Sequence, residues 1–317
     1  MDFRQTHLWI ARARGLRWAL PTGLAALLLT GGGCLVKRHK VTVQFKSSLL
    51  SATLPQLVNS IEKQAAAITS LNAKTELEAS NSGLTREQRL ADEPGKKGKV
   101  VREYVAKDYP DVEAFVLVRK PGNIRIIGQI SLVGTIFDMA SDGQQFQLSL
   151  PVQGKFMVGR NDVIPTTTKN PFERLRPGVI LDALLVAPLA PGETAVAMND
   201  SQLTSAEYNV LILGAPQNGI QHLLRRITFS RYDLLPARQE IYSADGFVAT
   251  QADYSEFVNV QGVPFPTQIT IKRPQEGYTI RMSFLPSQVK LNQPIADDKF
   301  VLPQPAGTQR IVLSSGR

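Results

Sequence analysis

The chain of 317 residues has a single cysteine, Cys34, three histidines and two tryptophans. One thiol cannot build an intramolecular disulfide framework, and it excludes a metal site made of several cysteines. Both tryptophans, Trp9 and Trp18, precede Cys34, and aromatics make up only 7% of the chain, so a base-stacking platform is missing. The formal charge of +9 shrinks once Arg4, Arg12, Arg14, Arg17 and Asp2 are assigned to an N-terminal leader. The remainder is spread along the chain, without the basic patch that nucleic acid requires. Arg225, Arg226 and Arg231 surround Phe229, but at strand spacing they fall on both faces. No apolar run reaches the roughly 20 residues of a spanning helix; the best candidate, 18–30, is broken by Pro21 and Gly23.

Reactive constellations are equally scarce. Beyond the leader only His39 and His222 remain, one in a basic segment and one in a strand-like segment. Neither has the partners of a nucleophilic triad at readable spacing. No glycine-rich phosphate loop follows a strand, no zinc spacing exists, and "DGQQ" at 142–145 lacks the spacing of a calcium loop. Asp297 and Asp298 sit together in a polar turn and read as solvated acids, with a weak cation site as the alternative. The expectation is a protein that is not an enzyme, with no cofactor, no catalytic residue and no metal site.

What is present begins with an address. Arg4 to Arg17 form a positive region, residues 18–30 an apolar one, and Gly31, Gly32 and Gly33 are the small residues that a signal peptidase needs. A signal peptide spanning 1–33 and ending on cysteine resembles the lipobox of bacterial lipoproteins, although leucine is usual where Gly31 stands. That resemblance implies acylation of Cys34, an anchor on the periplasmic face of a membrane, and, with Leu35 rather than Asp next, the outer membrane. A plain secretory signal with an incidental cysteine is the alternative. Residues 34–50, with Lys37, Arg38, Lys40 and Lys46, read as a lipidated tether that could lie against anionic headgroups or remain solvated.

From Thr53 the pattern is structural. Leu54, Leu57, Val58, Ile61, Ala65, Ile68 and Leu71 recur at three- and four-residue steps, with Thr53 placed to cap and Pro55 in the first turn. An amphipathic helix follows. The period then changes to two, in short runs separated by Pro-Gly, Asp-Gly and Gly signals, which predicts an antiparallel meander. Residues 81–98 read as a flexible polar insertion. Ile124, Ile126, Phe137, Met139, Phe146, Leu148, Phe156 and Val158 share a parity that makes one apolar face, with Arg125 and Asp138 on the other. A second helical segment, with an apolar run from Val179 to Val186, interrupts the meander, and further strands follow. The predicted fold is mainly β with α: one curved antiparallel sheet over 51–305 holding two helices in its concave face, then a tail over 306–317.

This order of elements resembles the LolA/LolB superfamily of bacterial lipoprotein carriers, most of all the LolB outer-membrane receptors. The likeness lies in "NIRIIGQISLVGTIFDMASDGQQFQLSLP" (123–151), in "LRPGVILDALLVAPLAP" (175–191), and in the closing strands from "VNVQGVPFPTQITI" to "FVLPQPAG". It implies an incomplete β-barrel around an N-terminal helix and a helical lid, with the apolar face named above lining a cavity for acyl chains of lipoproteins or another lipid. The same side chains could instead fill a closed core. It further implies that Leu132, with Val133 beside it, protrudes from a hairpin tip to enter the membrane; a tip tucked under a neighbouring loop is the alternative. The partners implied are lipid, the membrane and a periplasmic carrier, with the protein itself a monomer. A rival role is an envelope sensor or scaffold whose groove binds a protein.

Overall fold

The computed structural model describes residues 48–89, 100–163, 175–202 and 205–313. The leader, Cys34 and most of the tether lie outside the described residues.

The elements run α1 (Leu54–Ala67), β1 (Ser70–Arg89), β2 (Val100–Asp108), β3 (Val112–Arg119), β4 (Asn123–Ile130), β5 (Gly134–Ser141), β6 (Gln145–Leu150) and β7 (Lys155–Arg160). After these come α2 (Pro177–Leu184), β8 (Thr194–Ser201), β9 (Ala206–Leu213), β10 (Leu223–Ser230), β11 (Pro236–Tyr242) and β12 (Val248–Val260). The chain closes with β13 (Val263–Arg273), β14 (Tyr278–Phe284), β15 (Lys290–Leu291) and β16 (Gln309–Leu313). They build one sheet in the order β16-β7-β6-β5-β4-β3-β1-β14-β13-β12-β11-β10-β9-β8, with β2 and β15 paired to β1 off that path. The first half of the chain supplies one side, the second half the other, and the antiparallel β1–β14 ladder joins them. Among the described residues β8 and β16 do not pair, so the sheet curves without closing: an incomplete barrel.

Two helices fill the concave face, each because its apolar stripe needs a cover. In α1 the Gln56 side-chain oxygen accepts from the Thr53 amide at 2.8 Å, with Pro55 in the first turn. Leu57, Ile61 and Ala65 turn inward, and Leu57 and Ile61 pack on Val210, Ile212, Ile227 and Phe229 of β9 and β10. Each such buried aliphatic contributes about 1.5–3 kcal/mol. The shorter α2 packs Ile180, Leu181, Ala183 and Leu184 against the other cluster, built on β1, β3–β6, β13 and β14. The convex face is tied by ion pairs across neighbouring strands, including Arg238 with Asp253, Lys272 with Asp253, and Arg281 with Glu78.

Two expectations are corrected, and one strand is new. Residues 81–89, read as loop, continue β1 and pair with β2 from Ser80↔Asp108 to Arg89↔Val100; the rest of that insertion lies outside the described residues. Beyond Asn81, β1 pairs with β2 alone, and the sequence there carries no apolar alternation to mark a strand. Second, the tail contains β16, which lies parallel to β7 and covers that strand's outer edge. The segment leading to it crosses the convex face: Leu302 joins Ala140 and Phe156, and the Arg119 guanidinium sits 5.0 Å from the Phe300 ring centre. The new strand, β8, escapes sequence reading because its amphipathicity is inverted. Ala195 and Ala197 face inward, while Val196 and Met198 are exposed.

Candidate functional site

The half of the concave face under α2 is not completely filled. A cleft lies between the floor of Ile126, Met139 and Leu148, the wall of Leu77, Ala79 and Ile280, and the cover of Leu175 and Ile180. Strand register explains the floor: Ile126 pairs with Met139, Met139 with Leu148, and Leu148 with Met157, so all four point the same way. Phe137 stands at one side, where it lies over Gly128, its cross-strand partner. A Cβ on Gly128 would come 2.1 Å from the Phe137 ring, so only glycine leaves that ring its place. Polar groups in the lining come chiefly from Ser80, Asn81, Tyr109, Tyr278 and Thr279. The cavity measures about 70 Å³, against roughly 300–1,000 Å³ for common ligand pockets. A long ligand therefore enters only if α2 and its neighbours part from the sheet.

The cover is held by polar side chains that point up from the sheet. The last-turn carbonyls of a helix have no intrahelical partner. Here the Gln239 amide donates to the Asp182 carbonyl at 2.9 Å and the Tyr254 hydroxyl to the Ala183 carbonyl at 2.8 Å. Burial pushes the Tyr254 phenol well above its usual range, so it stays a donor. At the other end of α2, Arg176 is 1% exposed. Its Nε donates to the Val163 carbonyl at 2.7 Å and its Nη1 to the Leu175 carbonyl at 2.9 Å. The guanidinium lies 4.8 Å from the centre of the Phe146 ring, a cation–π contact. Burial lowers the Arg176 pKa, from a value so high that the side chain stays charged.

At the β4–β5 turn Leu132 is fully exposed, at 107% of its reference surface, and Val133 is 60% exposed. Leu132 also has φ of 71°, in the left-handed region that glycine or asparagine normally fills. A leucine there costs about 1–2 kcal/mol, and exposure returns none of it. The next turn at that end of the strands, between β6 and β7, presents Val152 at 71% exposure. The cleft lies toward the same end. Leu77 pairs with Val112 and Glu113 with Gln129, so Leu77 sits level with the base of the turn. Ala79 and Ile280 lie a further step outward.

Of the residues that the sequence singles out, Ile126, Phe137, Met139 and Leu148 line the cleft. Ile124 and Phe146 point the same way but are buried in the core beside it. Phe156 and Val158 are corrected: they lie on the convex face with Ala140 and Leu302, and Met157 takes the inward place. Parity within β7 is regular, but the turn after β6 sets its register one residue away from the one assumed. Arg125 and Asp138 form a bidentate pair at 3.0 and 2.8 Å on the convex face, which raises the arginine's pKa through the carboxylate bond. His222 is exposed in the β9–β10 connection. Among the described residues no group of three or more His, Cys, Asp or Glu could hold a metal ion, and no helix is long and apolar enough to cross a membrane. Cys34 lies outside the described residues. Sequence reading passed over Arg176, Gln239, Tyr254 and Tyr278. For Tyr254 and Tyr278 the available signal was a polar group at an inward position of an alternating strand; Gln239, in a largely polar strand, and Arg176, which precedes α2, gave none.

No protein-family model and no curated protein matches the chain. Solved structures do. A LolA superfamily protein from Nitrosomonas europaea aligns at 12% identity with a TM-score of 0.46, covering 80% of this chain and 99% of that one. A DUF1329 family protein from Desulfovibrio piger aligns at 10% identity with a TM-score of 0.49, covering 77% and 94%. A domain named for outer-membrane lipoprotein sorting, from Vibrio parahaemolyticus, aligns at 7% identity with a TM-score of 0.46, covering 77% and 94%. At such identities the likeness is to the course of the chain and says nothing of a ligand.

Proposed function

We propose that this protein is a non-enzymatic lipid carrier or receptor, anchored through Cys34 to the periplasmic face of the outer membrane. It takes acyl chains of lipoproteins or another lipid beneath α2 and releases them into the bilayer. The observation that carries this reading is the position of the apolar cleft, toward the end of the sheet where Leu132 projects into solvent. Acyl chains need a lining that rewards area without demanding aligned hydrogen bonds, and aliphatic, Met and Phe side chains supply it. Side-chain latches on α2 fit a cover that opens, since each is worth only about 1 kcal/mol. No nucleotide is needed, because differential affinity between cleft and bilayer drives transfer.

Leu132→Gly is the informative variant. Relief of the left-handed strain raises stability by about 1–2 kcal/mol, read by denaturant unfolding, while delivery of a fluorescent acyl lipid from protein to vesicles slows. Unchanged delivery would remove the tip from the mechanism. The scaffold reading has one feature in its favour, the outer edge of β8, which no strand covers among the described residues and beside which Val196 and Met198 are exposed, where a partner strand could add. Co-purification of a stable protein partner without lipid would favour it.

A further inference from the structure

Most of the cleft wall is hydrocarbon, and among its few polar groups one hydroxyl stands out. Tyr278 shares the inward parity of Ile280 and Met282 on β14, pairs with Asn81 of β1 and Arg273 of β13, and forms part of the wall. Its hydroxyl is buried with no hydrogen-bond partner among the described residues. Such a group is penalised relative to phenylalanine, which would fill the same space without an unmet donor. Burial is the main influence on its pKa and drives it up, against the pull of Arg273, so the phenol stays protonated at neutral pH. Two guanidiniums pull on it, Arg273 and Arg176, and the first is already matched. Arg273 makes a two-pronged pair with Glu276 and donates to the Thr250 hydroxyl at 2.7 Å. A neutral acceptor suits this corner better than a carboxylate.

We infer that Tyr278 is a specificity residue of the cleft, which donates its hydroxyl hydrogen to the ester or amide carbonyl at the head of an acyl ligand. The inference presupposes that the cleft takes up acyl chains, and its test separates the two. The full chain, captured from detergent solution, is equilibrated with methyl laurate and tetradecane together, two chains of equal length that differ in the ester. Retained probe is measured by gas chromatography against beads carrying detergent alone. The wild type should enrich the ester over the alkane by roughly 3- to 10-fold, the worth of one hydrogen bond. Tyr278→Phe should keep the alkane and lose the enrichment. Absence of enrichment in the wild type, or full enrichment in the variant, overturns the role of Tyr278 while uptake of both probes leaves the lipid reading standing. Retention of neither probe by the wild type overturns that reading, and this inference with it. The wild-type ratio decides even if the variant fails to fold. A second competition, between a diacylated cysteinyl peptide and diacyl phosphatidylcholine, separates the two sources of the carbonyl. Preferential retention of either supports carbonyl recognition and names the source, and retention of neither contradicts it.

Discussion

The two halves of the concave face do the same job in different ways. Under α1, the face of β9 and β10 is closed: Leu57, Ile61, Val210, Ile212, Ile227 and Phe229 are all buried to within 1% of complete. Under α2, the face of β1, β4–β6 and β14 keeps a cleft, and the helix above it is only 8 residues long against 14 for α1. The long helix is held by its apolar stripe. The short one adds hydrogen bonds from Gln239 and Tyr254 at one end and the buried Arg176 at the other. Apolar packing is lost gradually as surfaces separate and penalises every ångström of opening. A few directed bonds hold one closed geometry and let go once it is left. The fold thus closes the face under α1 completely and leaves a cleft beneath α2.

That contrast can be broken by mutation, the largest effect coming from the closed half. Phe229→Ala should cost about 3–5 kcal/mol in denaturant unfolding, because the site is fully packed between α1 and the sheet and cannot collapse. Met139→Ala, beside existing free space, should cost distinctly less; equal costs would mean that the two halves are equally packed. Tyr254→Phe comes next. It should weaken closure of α2 by about 1 kcal/mol, seen as faster amide exchange in 177–184 with the amides of α1 unchanged. Equal acceleration in both helices would argue against separate roles.

The smallest effect concerns acid. Asp253 is pulled in two directions: burial raises its pKa, and bonds from Arg238, Gln251 and Lys272 outweigh burial and leave it below 3.8. A carboxylate depressed in the folded state contributes stability that is present above its unfolded pKa and is lost as pH falls through the folded one. The loss therefore lies below about pH 4. Asp253→Asn should flatten the acid limb of a stability–pH curve there and leave lid exchange at neutral pH untouched. An unchanged acid limb would remove this ion pair from the account.

Sequence patterning reached much of this. The step pattern from Leu54 to Ala65 and the Thr53–Pro55 start gave α1, though Ile68 and Leu71, counted in the same pattern, fall beyond its end, Leu71 in β1; alternation with turn signals gave most of the strands, because each is a local consequence of burying one face. Where the sequence has no apolar alternation, as in 81–89, or where alanine faces in and methionine out, as in β8, periodicity is silent. The site divides in the same way. Exposed aliphatics at a hairpin tip are conspicuous without a structure, since tips are normally polar. Phe156 and Val158 depended on register, a relation between two strands that periodicity within one cannot supply. Tyr278, Gln239 and Tyr254 looked like ordinary polar strand residues until the helix above them and the cleft beside them were placed.

Mass spectrometry of the organic extract of the full-length protein, purified from its own membranes, tests the carrier reading most directly when run beside an Ala79→Trp variant that fills the cleft. The account predicts a non-covalent acyl lipid with the wild type and its loss from the variant, with any acyl modification of Cys34 the same in both. A wild type that carries no lipid, or a filled variant that carries as much, would contradict it.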